Sequence, residues 1–159
     1  MEDDTLNIAE CIFFCFHSFA LMGDGKIEKE ERVANSYYLN EWLGEDEELL
    51  MNTIKKTLTW TSKELDNASQ EEYTGTLLSI VDYLKNNLNT YQKEKFLMHI
   101  RLIAQADKDF HDNEKRIHDV FASILELDVR VSQSSVQQLN QVENSIPRRP
   151  VGFRASWNQ

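Results

Sequence analysis

The chain has 159 residues, 41% hydrophobic and 28% charged, so we expect a single globular domain with its own core. The net charge of −10 is uneven, because residues 130–159 hold four arginines and one glutamate while residues 1–129 carry twice as many acids as bases. An acidic body repels phosphates, which argues against nucleic acid as a partner and favours cations or basic proteins. The same charge could also serve solubility alone. We therefore expect a domain at 1–129 and a short helix or flexible basic tail at 130–159.

The start of the chain shows no signal for export. Met1 is followed by three residues of which none is basic, where a secretory signal would carry positive charge. The longest apolar run, 11–16, is far too short to span a bilayer, so we expect a cytoplasmic protein without an integral membrane segment. Cys11 and Cys15 are four residues apart on one predicted helix, which favours buried free thiols over a disulfide.

Helices are predicted along almost the whole chain, because both prolines lie after residue 146. The expected fold is an all-α bundle of six to seven helices. The first helix is apolar almost all round and should be central. Thr61–Ser69 is expected to be a polar connector, and Ser69 with Glu72 forms a predicted capping box. The predicted helices are approximately 3–22, 28–43, 46–59, 70–88, 90–106 and 112–127, with a weakly periodic seventh at 132–143.

Several side chains are assigned to the core or the surface from helical spacing. The inward side of the second helix is predicted to consist of Val33, Ala34, Tyr37, Tyr38 and Trp42. The sixth helix is predicted to use an apolar set of Ile117, Val120, Phe121, Ile124 and Leu125. Among the histidines, His17 is expected in the core and His99 on the surface.

An internal repeat relates two parts of the chain at an offset of 83 residues. Each unit is an apolar helix, an Asp, an apolar residue three positions on, a Glu seven positions on, and a second helix. Such self-similarity predicts one structural unit used twice, packed about a pseudo-two-fold axis. The aligned pairs are Phe13 with Phe96, Phe14 with Leu97, Ala20 with Ile103, Asp24 with Asp107, Ile27 with Phe110, Glu31 with Glu114, Ala34 with Ile117 and Tyr38 with Phe121.

The four repeated acids are the candidate site residues: Asp24, Glu31, Asp107 and Glu114. In each unit the Asp ends one helix and the Glu lies in the first turn of the next, so both carboxylates could face the same turn. Their roles could be purely structural, because Asp forms turns and Glu suits a helix start. Alternatively, they form a hard oxygen site for a divalent cation such as Ca²⁺ or Mg²⁺.

The two turns resemble the A-D-G-x-(hydrophobic)-x-x-x-E signature of the TerB-like, tellurite-resistance-associated domains. The similar segments are Met22–Ile27 with Glu31, and Ala106–Phe110 with Glu114, and the resemblance covers roughly residues 8–127. It implies an all-helical, two-halved intracellular protein associated with stress, metal-linked and non-enzymatic, with the four acids at its turns. The sequence departs from the signature at three positions: Gly23 replaces Ala, Lys108 replaces Gly and Asn113 replaces a second Glu.

Two other functions remain open from the sequence. His111, Glu114 and His118 share one helical stripe, which could supply zinc ligands to a metal-dependent hydrolase or could simply face solvent. The tail segment 147–157 combines prolines, arginines and aromatics and could recruit a protein partner to a scaffold, or wrap onto the acidic body. No phosphate-binding loop or nucleophile elbow occurs, so no catalytic residue is predicted.

Overall fold

The computed structural model describes residues 5–24, 29–106 and 112–129. Within these ranges the chain forms six α-helices and no β-strand, which confirms the all-α prediction. None of the described helices combines the length and the apolar character needed to cross a membrane. The predicted seventh helix at 132–143 and the tail lie outside the described residues. The helices are α1 Ile8–Asp24, α2 Lys29–Trp42, α3 Glu47–Leu65, α4 Gln70–Asn87, α5 Thr90–Ala104 and α6 Asp112–Ile124.

Helix α1 is the centre of the bundle, as its nearly all-round apolar sequence predicts. It packs against each of the other five helices. Its largest side chains, Phe14, Phe16 and Phe19, are fully buried. Cys11 and Cys15 are buried and free, as expected. The middle of α1 therefore belongs to the core of the bundle.

Three of the helices begin with a capping box, in which the N-cap side chain and the third helical residue bond each other's backbone N–H groups. The predicted pair Ser69 and Glu72 opens α4 in this way. Asn89 and Gln92 open α5. At the start of α1, the Asn7 N–H donates to Glu10 Oε1 and the Glu10 N–H donates to Asn7 Oδ1, both at 2.8 Å. The third helical position is therefore where this chain places an acid or amide that fastens a helix start.

Helix α3 is longer than the sequence predicted, because it continues through the supposed connector to Leu65. The threonines on its inner side are compatible with a buried helix face, since their hydroxyls bond to backbone carbonyls one turn earlier. Thr57 Oγ1 donates to the Thr53 carbonyl at 2.7 Å, and Thr61 Oγ1 donates to the Thr57 carbonyl at 2.8 Å. Residues 61–65 of the predicted polar connector are therefore helical, and that part of the prediction was wrong.

Helix α2 turns inwards a face that only partly matches the predicted one. Val33 and Tyr37 are 62% and 61% exposed, so their assignment to the core was wrong. Ala34 and Tyr38 are partly buried against the core, and the buried stripe consists of Glu31, Asn35, Leu39 and the predicted Trp42. Positions 33 and 37 lie on the side of α2 opposite to that stripe. The prediction from helical spacing failed because the stripe begins with two polar residues, Glu31 and Asn35, which such predictions place on the surface. Val120 on α6, the repeat equivalent of Tyr37, is likewise 40% exposed rather than buried.

The first helix of each unit packs against the second helix of the other unit. Along α5, Lys95 Nζ lies 5.6 Å from the centroid of the Trp42 ring, and the ring centroids of His99 and Tyr38 lie 4.6 Å apart. Because the later residue of α5 meets the earlier residue of α2, the two helices run antiparallel. Along α1, Phe19 lies 6.3 Å from Phe121. Further along, the Asn113 side chain bonds the Met22 carbonyl, so α1 runs antiparallel to α6.

Helices α1 and α5 themselves meet at equivalent positions of the repeat. Phe16 and His99 are 83 residues apart, and their rings lie 6.1 Å from each other. Two units related by a two-fold axis would make such a contact where their first helices cross. The symmetry of the whole arrangement stays a prediction.

Candidate functional site

Two of the four candidate acids have described side chains, and both are buried. Glu31 is the third residue of α2 and Glu114 is the third residue of α6, and each is only 1% exposed. Asp24 is the last residue of α1, and its side chain lies outside what the structure describes. Asp107 lies outside the described residues altogether. The structure thus places two buried carboxylates at the two predicted helix starts.

Both acids occupy a position that suits a helix-capping role. Glu31 and Glu114 occupy the same third position as Glu10, Glu72 and Gln92, the capping-box residues of α1, α4 and α5. A carboxylate at this position also interacts favourably with the positive end of the helix dipole. A carboxylate held this way can use one oxygen for the helix start and offer the other to a ligand.

The end of α1 and the start of α6 are joined by a hydrogen bond that the sequence did not predict. Asn113 Nδ2 donates a 2.8 Å hydrogen bond to the Met22 carbonyl. The end of α1, which carries Asp24, therefore lies against the start of α6, which carries Glu114. In the same crosswise manner, the antiparallel course of α5 directs its end towards the start of α2 and Glu31. Asn113, noted in the sequence only as a departure from the family signature, makes this contact.

His118 lies in a buried polar cluster rather than on an open face. Its Nε2 is 3.1 Å from Arg101 Nη1, and its Nδ1 is 3.1 Å from Asp119 Oδ1. Since a guanidinium can only donate, Nε2 is the acceptor and Nδ1 carries the proton that is donated to the carboxylate. Arg101 is 1% exposed, and a buried cation on the apolar side of α5 was not expected from the sequence.

This geometry disfavours the zinc stripe of His111, Glu114 and His118. Both ring nitrogens of His118 are already occupied, and a metal at Nε2 would have to displace a positively charged group and then lie beside it. His111 lies outside the described residues. Among the described residues, no group of three or more His, Cys, Asp or Glu side chains could hold a metal ion.

His99 is fully buried, so its assignment to the surface was wrong. Trp42 Nε1 donates to its Nδ1 at 2.8 Å, and its Nε2 lies 3.1 Å from Glu41 Oε2. Burial lowers the pKa of His99, and the neighbouring Glu41 carboxylate partly opposes that shift. The residue belongs to the apolar stripe of α5 because it lies three positions after Phe96 and four before Ile103, a spacing that could have identified it.

The two cysteines offer no nucleophile. Burial and the nearby Glu10 carboxylate raise the pKa of the Cys11 thiol to about 12, and burial raises the pKa of Cys15 well above its usual value. Because the thiolate is the reactive species, both side chains are inert at neutral pH.

An open groove lies on the other side of the molecule, between the start of α1, the Trp60 region of α3 and one face of α4. It has a volume of about 940 Å³ and is mostly apolar. Its lining residues are Thr5, Leu6, Cys11, Trp60, Glu72, Gly75, Thr76, Ser79, Ile80 and Tyr83.

Comparison of the chain with protein-family models, with curated proteins and with solved structures finds no match. The likeness to TerB-like domains therefore rests on the two Asp turns and their spacing.

Proposed function

We propose that this chain is a non-enzymatic, TerB-like helical module that binds a divalent cation at the end of the bundle where α1 and α5 end and α2 and α6 begin. The proposed ligands are carboxylates of Asp24, Glu31, Asp107 and Glu114. Ca²⁺ and Mg²⁺ are the fitting ions, because both prefer carboxylate and carbonyl oxygens.

One observation carries this proposal: the hydrogen bond from Asn113 to the Met22 carbonyl, which joins the end of unit one to the helix start of unit two. With the buried carboxylates of Glu31 and Glu114, it supports ligands that come from both units rather than from one turn. A cation bound there would offset the electrostatic cost of collecting several carboxylates at one end of the bundle. It would also fasten the two units to each other.

A titration with Ca²⁺ and with Mg²⁺, followed by thermal melting, tests the proposal. An ion that binds only the folded chain raises its stability by about 2.7 kcal/mol at a concentration of 100 times the dissociation constant. We expect the melting temperature to rise with cation in the parent chain, and the rise to disappear in Asp24→Asn with Asp107→Asn.

A matched control removes the same charge elsewhere. Asp66 and Asp128 are exposed and distant in sequence from both turns. The variant Asp66→Asn with Asp128→Asn should keep the full cation response. No melting shift at millimolar cation, or an equal shift in both double variants, would refute the cation site.

The cation titration also distinguishes cation binding from the second proposed function of the two Asp turns, the binding of a basic protein partner. A partner held only by charge complementarity would bind without added divalent cation and would weaken as salt rises. The hydrolase alternative is disfavoured by the Arg101 contact to His118.

A further inference from the structure

The groove beside α4 has the features of a surface prepared for an apolar ligand. Tyr83 at one end is 44% exposed, and Trp60 is held rigidly by an edge-to-face contact with Phe14 at 5.7 Å. At the middle of the groove, Gly75 leaves open space, because a Cβ built there would meet no atom within 4 Å. A glycine inside a helix lowers its stability, so its presence here favours close approach of another chain segment.

The described chain ends close to α4, which lines this groove. Lys85 Nζ and Glu126 Oε1 lie 2.6 Å apart, which fixes the segment after α6 to the last turn of α4. Val129, the last described residue, packs against the main core. Tyr83 lies two residues before Lys85, so the two side chains leave nearly opposite sides of α4 at a similar level of the helix. The described chain therefore ends near the level of Tyr83, across α4 from the groove.

The segment that follows, residues 130–159, is long enough to reach the groove. The stretch of α4 from Glu72 to Tyr83 is about 17 Å long at a rise of about 1.5 Å per residue. A stretch of 17 residues, the number from Val129 to Ile146, can span at most about 55–60 Å when fully extended, which exceeds the length of the groove. Residues beyond Ile146 can therefore reach any point of the groove without strain, at a high effective concentration.

The chemistry of this segment is also complementary to α4. Its apolar side chains suit an apolar trough, while its arginines suit the acids of α4, which carries three acidic residues and one lysine. The acids are Glu71, Glu72 and Asp82. The segment offers Ile146, Val151, Phe153 and Trp157 together with Arg148, Arg149 and Arg154.

We propose that residues 146–157 of the same chain bind in the groove formed by α1, α3 and α4, with their aromatic side chains over Gly75 between Trp60 and Tyr83. The segment covers the groove and competes with any external apolar ligand for it. This binding is independent of the cation site, which lies at the ends of other helix pairs.

A spin label on the full-length chain tests the proposal. A nitroxide on the variant Asn158→Cys reacts selectively, because the two natural thiols are buried and do not ionise at neutral pH. We expect the label to broaden the backbone amide signals of Gly75, Thr76 and Ser79 and to leave those of Val33 and Tyr37 sharp. Sharp signals in the groove, or equal broadening on α2, would overturn the proposal.

Two variants show whether the broadening reports binding in the groove. Ser79→Arg places a bulky cation on the exposed lining, whereas Asn86→Arg places the same group on α4 outside the lining. Broadening should be lost in Ser79→Arg and kept in Asn86→Arg. Replacing Phe153 and Trp157 by Ala should abolish it without touching the helical body. Broadening that survives these changes contradicts the proposal.

A mixed sample distinguishes binding within one chain from binding between copies. When an isotope-labelled chain without nitroxide is mixed with a spin-labelled chain without isotope, intramolecular binding leaves the groove signals sharp. Broadening in the mixture as strong as in the single sample would overturn the assignment to the same chain.

Discussion

The buried contact of His99 with Trp42 and Glu41 should make the fold sensitive to mild acid. The variant His99→Gln tests this, because a glutamine can accept from Trp42 Nε1 and donate to Glu41 without gaining a proton. Burial lowers the pKa of His99 in the folded chain below its usual value of 6.5. The unfolded chain therefore binds the proton first, and stability falls as the pH drops below 6.5 towards the folded pKa.

The size of the effect follows from proton linkage. One histidine that titrates only in the unfolded state changes the free energy of unfolding by about 1.4 kcal/mol per pH unit. Between pH 7.5 and 5.5, only the last unit lies below the unfolded pKa, so His99 should account for up to roughly 1 kcal/mol of lost stability. Burial also lowers the pKa of His17, so this residue adds a separate loss of stability over the same pH range.

Urea unfolding at pH 7.5 and pH 5.5 measures this loss in the parent chain and in His99→Gln. We expect the parent to lose up to about 1 kcal/mol more than the variant between the two pH values. His17→Gln is the matched control, and it should keep the part of the loss that His99 causes. An equal loss in the parent and in His99→Gln would show that His99 does not titrate as its burial requires.

Two further predictions concern stability at a single pH. Phe16→Ala should lower the free energy of unfolding by about 3–5 kcal/mol, because Phe16 is fully buried and stacked on Phe96 at 5.9 Å, whereas exposed Val33→Ala should change it by less than about 0.5 kcal/mol. In a chain with Phe153 and Trp157 replaced by Ala, Gly75→Ala should raise it by about 0.5–1 kcal/mol, since the new methyl then meets no described neighbour. Urea midpoints check both, and similar losses for the Phe16 and Val33 variants, or a loss for Gly75→Ala, would contradict the packing described.

The helical fold was predictable because α1, α4 and α5 have clear apolar faces, although α1 begins at Ile8 rather than near residue 3 as predicted. The apolar stripe of α5, Phe96, Ile100 and Ile103, is buried as expected. The capping box at Ser69 was readable from the sequence, because its two members are fixed by a spacing of three residues.

The buried polar residues explain where sequence reasoning failed. Periodicity arguments treat polar residues as exposed, but Glu31 and Asn35 begin the buried stripe of α2, and Arg101 and His99 lie inside α5. Each of the two α5 residues makes a hydrogen bond with a partner from another helix, which a single sequence does not display. The crosswise meeting of the two units was equally invisible, because it depends on helix directions rather than on the repeat.

The all-round burial of α1 has a consequence for biosynthesis. The surface of α1 is fully covered only after α4, α5 and α6 have been synthesised, and α6 ends about 100 residues after α1. At a synthesis rate of about 5–20 residues per second, its phenylalanine-rich surface stays uncovered for roughly 5–20 s. We therefore expect that slowing translation near residue 112 increases aggregation of the nascent chain.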